Sequence, residues 1–137
     1  MSSLTNKLKK MAIASMEFSY SPYSHKKIGA SILLSNGKTY AGCNIENASY
    51  GGTVCAERVA IWKAFSENKS DIKVSEVFVA SNETEPWPPC GFCRQILAEF
   101  ATPETLVTLV NLQGAEKSFK FKDLLPEAFR AEHLLKK

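Results

Sequence analysis

Leu4, Leu8, Met11, Ala12 and Ser15 recur at helical spacing, with Lys9 and Lys10 off that face and Lys7 at its edge. This predicts an amphipathic helix from residue 4 to about 18. Tyr20-Ser21-Pro22-Tyr23-Ser24 breaks it, because a proline pushes the residue before it out of the helical region. Ile28 to Leu34 reads as a strand, and Asn36-Gly37 is a strong two-residue turn signal. Lys38 to Cys43 then returns as the second strand of a hairpin. Asn44-Ile45-Glu46-Asn47 leaves the sheet with three polar side chains, and Gly51-Gly52 permits a tight approach into the next element.

A second helix is predicted from about Val54 to Phe65, with Thr53 as N-cap and Cys55, Val59 and Trp62 on one face. Asn68-Lys69-Ser70 ends that segment. Val74 to Ala80 is rich in β-branched residues and reads as a third strand. A proline-bearing loop from Ser81 to Pro89 leads to a third helix, Cys90 to Phe100, that buries Ile96, Leu97 and Phe100. Leu106 to Val110 is a fourth strand, and Lys117 to Phe121 a short fifth at an edge. The stretch from Leu124 to Phe129 closes the chain with a short helix. Helices alternating with strands predict a three-layer α/β/α domain with a mixed central sheet of about five strands.

Composition adds few constraints. At 137 residues the chain is expected to form a single domain, 1–137, with one core that needs no disulfides. A hydrophobic fraction of 45% and a charged fraction of 23% are those of a soluble globular protein. The net charge of +3 comes without a clustered basic stripe; Lys136 and Lys137 are expected to be solvated, and no nucleic-acid partner is expected. No apolar run suits a signal peptide or the roughly 18 residues that span a bilayer, so no membrane partner and a cytoplasmic location are expected. Four cysteines in such a compartment favour metal binding or catalysis over disulfides.

The candidate chemistry lies in Thr53-Val54-Cys55-Ala56-Glu57-Arg58 and Pro88-Pro89-Cys90-Gly91-Phe92-Cys93-Arg94. Cys55, Cys90 and Cys93 are candidate zinc ligands, and three protein ligands leave a fourth position open to water. Both cysteine segments open helices, whose free N–H groups and dipoles stabilise thiolates. Three thiolates leave Zn²⁺ with a formal charge of −1, so a nearby cation is useful. Arg58 and Arg94 are the candidates to donate hydrogen bonds to a sulfur, and Arg58 is read as supporting the ligands. Glu57, two residues from a ligand, is the candidate general base and proton donor. Cys43 reads as a buried spare thiol; the alternative is a fourth ligand in a non-catalytic zinc module. His25 and His133 read as solvent-facing or locally bonded. Trp62 and Trp87 read as core or packing residues rather than ligand platforms.

These motifs resemble the zinc-dependent nucleoside deaminases, specifically the small homotetrameric cytidine deaminases. The resemblance runs from about Tyr20 to Phe129. It implies a cytidine deaminase-like fold with one Zn²⁺ per chain. The implied reaction is hydrolytic deamination of cytidine and deoxycytidine to uridine and deoxyuridine by zinc-activated water, in pyrimidine salvage. Asn44 to Tyr50 is similar to that family's ribose-binding segment. By that match Asn44 and Glu46 bind the sugar hydroxyls, and Ala48 and Tyr50 lie near the substrate across a subunit contact. Ala56 offers backbone groups to the ring. The Leu124 to Phe129 motif implies that Phe129 reaches a neighbouring subunit's pocket. One position departs from the pattern: where the family commonly has a phenylalanine stacking on the pyrimidine, this chain has Lys26. That keeps open a modified cytosine nucleoside or a related aminopyrimidine as substrate.

Overall fold

The structure is a computed structural model that describes residues 2–69 and 71–135. Ser70 and the two terminal lysines, 136 and 137, for which a loop and a solvated surface are expected, lie outside the described residues. The elements in chain order are α1 (Ser3–Ser15), β1 (Ile28–Leu34), β2 (Thr39–Cys43), α2 (Ala56–Glu67), β3 (Val74–Ser81), α3 (Gly91–Phe100), β4 (Ala101–Asn111), β5 (Glu116–Lys120), α4 (Phe121–Leu124) and α5 (Ala131–Leu135). Single 3-10 turns lie at Met16–Phe18 and Tyr50–Gly52.

The sheet order is β2-β1-β3-β4-β5. All neighbours are antiparallel except β3 and β4, which run parallel with α3 between them in sequence. Alternation along each strand sends side chains to two helical layers. Ile32, Leu34, Val77, Val79, Val107 and Leu109 meet the layer of α2, α3 and α4, while Phe78, Ala80 and Val110 meet Leu8, Ala12 and Met16 on the α1 side. Central β3 is therefore apolar on both faces over Val77–Ala80, the pattern of a strand buried between layers.

Two glycines set how closely the helices approach. A Cβ on Gly29 would strike the carbonyl oxygen of Ala12 in α1. A Cβ on Gly42 would lie 2.7 Å from the Ala60 nitrogen and 2.8 Å from the Ala56 oxygen in α2. The obstacle is backbone in both cases, so neither can give way.

This close approach explains one correction. The buried face of α2 is Ala56, Glu57, Ala60, Ile61 and Ala64, whereas Trp62 is 52% exposed. The alanines mark the inner face because there is no room for larger side chains against Gly42. The N-cap of α2 is Cys55 rather than the expected Thr53. β4 begins at Ala101, earlier than the apolar run suggests, and the C-terminal segment forms two short helices instead of one.

Candidate zinc and deaminase site

The helices α2 and α3 start at the same end of the sheet, beside the C-terminal end of β3. Cys55 and Cys90 are their N-caps, both in extended backbone conformation. The Cys55 side chain makes no capping bond to its own helix, which leaves its sulfur free to face α3. Cys90 Sγ accepts from the Cys93 backbone N–H at 3.4 Å, and Cys93 is buried one turn into α3.

The three sulfurs lie within 4.8 Å of one another. The Cys55 and Cys90 sulfurs are 3.8 Å apart. A tetrahedral zinc with bonds of about 2.3 Å sets its ligand sulfurs roughly 3.8 Å apart. The donor set is thiolate, the type that suits zinc, and three residues leave one coordination position open. These residues fit the metal.

One thiol of the cluster, Cys55, is already biased toward ionisation. Cys55 is lowered to about 5, first by a hydrogen bond from the Cys93 thiol and then by Arg58 and Cys90. Cys93 is raised, because it donates that bond and is buried. Arg58 Nη2 stands 3.7 Å from Cys55 Sγ and 3.4 Å from the Thr53 carbonyl oxygen. Its guanidinium lies 4.5 Å from the Phe92 ring centroid and 5.8 Å from that of Trp62. Arg94 does not reach a sulfur. It donates to the Pro89 carbonyl at 2.8 Å and the Leu124 carbonyl at 2.7 Å, bracing the loop before Cys90 against α4.

Glu57 occupies the first turn of the buried face of α2 and is only 3% exposed. Burial pushes its carboxyl up to about 7. It lines a cavity of about 390 Å³ together with Cys55, Cys90, Asn44, Glu46 and Ala56. Candidate metal ligands, a buried carboxyl and the polar side chains of Asn44 and Glu46 thus converge on one space.

The expected sugar contacts are also held by the protein itself. Asn44 Oδ1 accepts from the Ile28 N–H at 3.0 Å and from the Ser19 hydroxyl, and Asn44 Nδ2 donates to the Lys26 carbonyl at 2.7 Å. One Nδ2 hydrogen is left for a ligand. Glu46 accepts from the Tyr23 and Ser24 N–H groups and from the Ser24 hydroxyl, and the hydroxyl bond is first among the causes that hold it below its ordinary value. Ala48, Tyr50 and Phe129 do not line this cavity. Ala48 is exposed, Tyr50 is 76% exposed beside Tyr23, and Phe129 is 55% exposed and stacked on His133.

Cys43 stands outside the cluster, half-buried at the end of β2, with its thiol raised by burial. His25 is exposed and His133 Nδ1 accepts from the Arg130 N–H. The reading of Trp87 is corrected: it is not core but 40% exposed in the cavity wall, beside Lys26 and Pro88. Its position three residues before Cys90 is the signal in the sequence that a site lies nearby.

The family model of the cytidine and deoxycytidylate deaminase zinc-binding region matches residues 2–109. A cytidine deaminase of Halalkalibacterium halodurans is 46% identical over 91% of this chain and 93% of its own length. One of Sporosarcina psychrophila is 45% identical, over 86% of this chain and 85% of its own. The crystal structure of cytidine deaminase from Burkholderia pseudomallei superposes with a TM-score of 0.86 at 39% identity, covering 94% of this chain and all of that one. Agreement this extensive, in sequence and in fold, means that the chain belongs to the zinc-binding cytidine and deoxycytidylate deaminase family.

Proposed function

We propose that this enzyme hydrolyses cytidine and deoxycytidine to uridine and deoxyuridine, releasing ammonia. The observation that carries the reading is the buried Glu57 carboxyl in the same cavity as the Cys55 and Cys90 thiols. Cys55, Cys90 and Cys93 would hold a zinc ion, whose chemistry would be to lower the pKa of a water and so supply a nucleophile near neutral pH.

The remaining work falls to the chain. Glu57 takes a proton from the water that adds to C4 and delivers it to N3. It then carries the second water proton to the amino group, which leaves as ammonia while the C4 carbonyl forms. The Ala56 backbone positions the ring, and Asn44 and Glu46 hold the sugar. Arg58 offsets the negative charge of the thiolates through Cys55.

We place Ala48, Tyr50 and Phe129 at contacts between subunits of a homotetramer. The exposure of Tyr50, Phe92 (64%) and Phe129 supports an interface there. The chain is read as one domain, since a single five-stranded sheet carries both helical layers. No helix among the described residues is long and apolar enough to cross a membrane. Free thiols converging on one point suit the reducing cytoplasm, and salvage of pyrimidine nucleosides is the fitting role.

The test is ammonia release from zinc-loaded protein given cytidine, deoxycytidine, cytosine and cytidine monophosphate in parallel, with Glu57→Gln as control. Release from the two nucleosides, lost in the variant, is expected. Bound zinc with no release from any of the four overturns the substrate assignment.

A further inference from the structure

We propose that the Trp87 indole is the platform on which the substrate's pyrimidine ring rests, and that the Lys26–Glu83 ion pair holds it in place. This rests on the deaminase reading above and adds a specificity-determining residue to it. A pyrimidine is bound at its edge by polar groups, but its two faces need apolar cover. Among the described residues lining the cavity, Trp87 is the one aromatic side chain; its other apolar walls are aliphatic, from Ile28, Val54 and Val79. The indole is not consumed by packing, being 40% exposed while it faces this space.

The platform is built to stay where it is. Trp87 sits between Pro86, which is buried, and Pro88, so fixed φ angles on both sides limit the loop. Lys26 Nζ lies 5.6 Å from the indole centroid, within cation–π range. That ammonium is itself fixed by Glu83 Oε1 at 2.7 Å. The backbone of Lys26 is tied at both ends, its N–H donating to Ser24 Oγ at 3.0 Å and its carbonyl accepting from Asn44. Next to it, the Lys27 N–H donates to Asn82 Oδ1 and the Asn82 N–H donates to the Lys27 carbonyl. The loop from β3 and the loop before β1 are thus joined at the mouth of the cavity. Lys26 and Glu83 act through Trp87 as positioning residues. A wall ordered before the substrate arrives binds it at a lower entropic cost.

A platform grips the ring in substrate and transition state alike, so it shows in KM more than in kcat. In the zinc-loaded full chain, Trp87→Ala is expected to raise KM for cytidine by roughly 5- to 100-fold with kcat little changed, as stacked bases lose on alanine substitution. Trp87→Phe is expected to restore most of it. Lys26→Met is expected to raise KM by a smaller factor in the native background and to add nothing in a Trp87→Ala background. Cytidine turnover with a KM that Trp87→Ala leaves within about twofold overturns the platform and spares the reaction assignment. A second readout is independent of turnover: in a Trp62→Phe chain the remaining indole emission reports Trp87. Quenching by uridine is expected even from protein that proves unable to deaminate cytidine, an outcome that removes the reaction and keeps the platform. Calorimetric binding of uridine with unchanged emission overturns the platform.

Discussion

The sulfurs of Cys55 and Cys90 stand 3.8 Å apart although 35 positions separate the two residues. That spacing matches the edge of a tetrahedron that a zinc ion would set between its sulfur ligands. It comes from the docking of α2 and α3 on the sheet, so metal and tertiary packing are coupled.

The coupling makes metal removal a stability experiment. Chelation is expected to lower the melting temperature, since ligands that bind the folded chain stabilise it by mass action. Cys90→Ser is expected to lose zinc and turnover together, whereas Cys43→Ser is expected to keep one zinc per chain and near-native turnover. Metal analysis of the purified variants checks both. Zinc lost from Cys43→Ser would revive the four-cysteine module.

Glu57→Gln is expected to keep zinc and fold while losing about 10²–10⁴-fold in kcat, the range for removing a positioned proton carrier. The amide fills the same space and no longer requires a buried ionisable group. Its melting temperature is therefore expected to equal or exceed that of the parent. Near-native turnover would remove Glu57 from the proton path.

Arg58→Ala is expected to weaken zinc binding by about 10- to 100-fold, the usual cost of losing a partner of a metal ligand. The guanidinium contacts Cys55 Sγ, so its loss leaves the thiolate charge uncompensated. Competition with a zinc-selective chelator measures it. Arg94→Ala, by contrast, is expected to lower stability with little change in zinc affinity, because both its contacts are to carbonyl oxygens.

Much of this site was legible before any coordinates, for a local reason. Cys90 and Cys93 share one helical turn, and Glu57 follows Cys55 by two, so short spacings carried the cysteine cluster and the buried carboxyl beside it. The Asn36-Gly37 turn likewise carried the β1–β2 hairpin. What stayed hidden was long-range or depended on small side chains. The inner face of α2 is written in Ala56, Ala60 and Ala64, which a search for bulky apolar residues passes over in favour of Trp62. The role of Trp87 depends on Lys26 and Glu83, which meet across 57 positions of sequence.

Asn44 shows why a loss of activity needs a second measurement beside it. As a sugar contact alone, its replacement by alanine would raise KM and leave stability untouched. Its side chain, however, satisfies the Ile28 N–H at the head of β1 and the Lys26 carbonyl, and is itself only 8% exposed. Removing it strands two backbone groups, each worth about 1–3 kcal/mol when buried without a partner. It also frees the segment that carries Lys26. Asn44→Ala is therefore expected to destabilise the fold by roughly 2 kcal/mol or more as well as raise KM, and chemical denaturation beside steady-state kinetics reads both. Glu46→Gln is the contrast. Its partners are on an exposed turn, so KM for cytidine is expected to rise with little loss of stability. If Asn44→Ala unfolds at the same denaturant concentration as the parent, its bonds to Ile28 and Lys26 do not support the fold and the residue acts on the ligand alone.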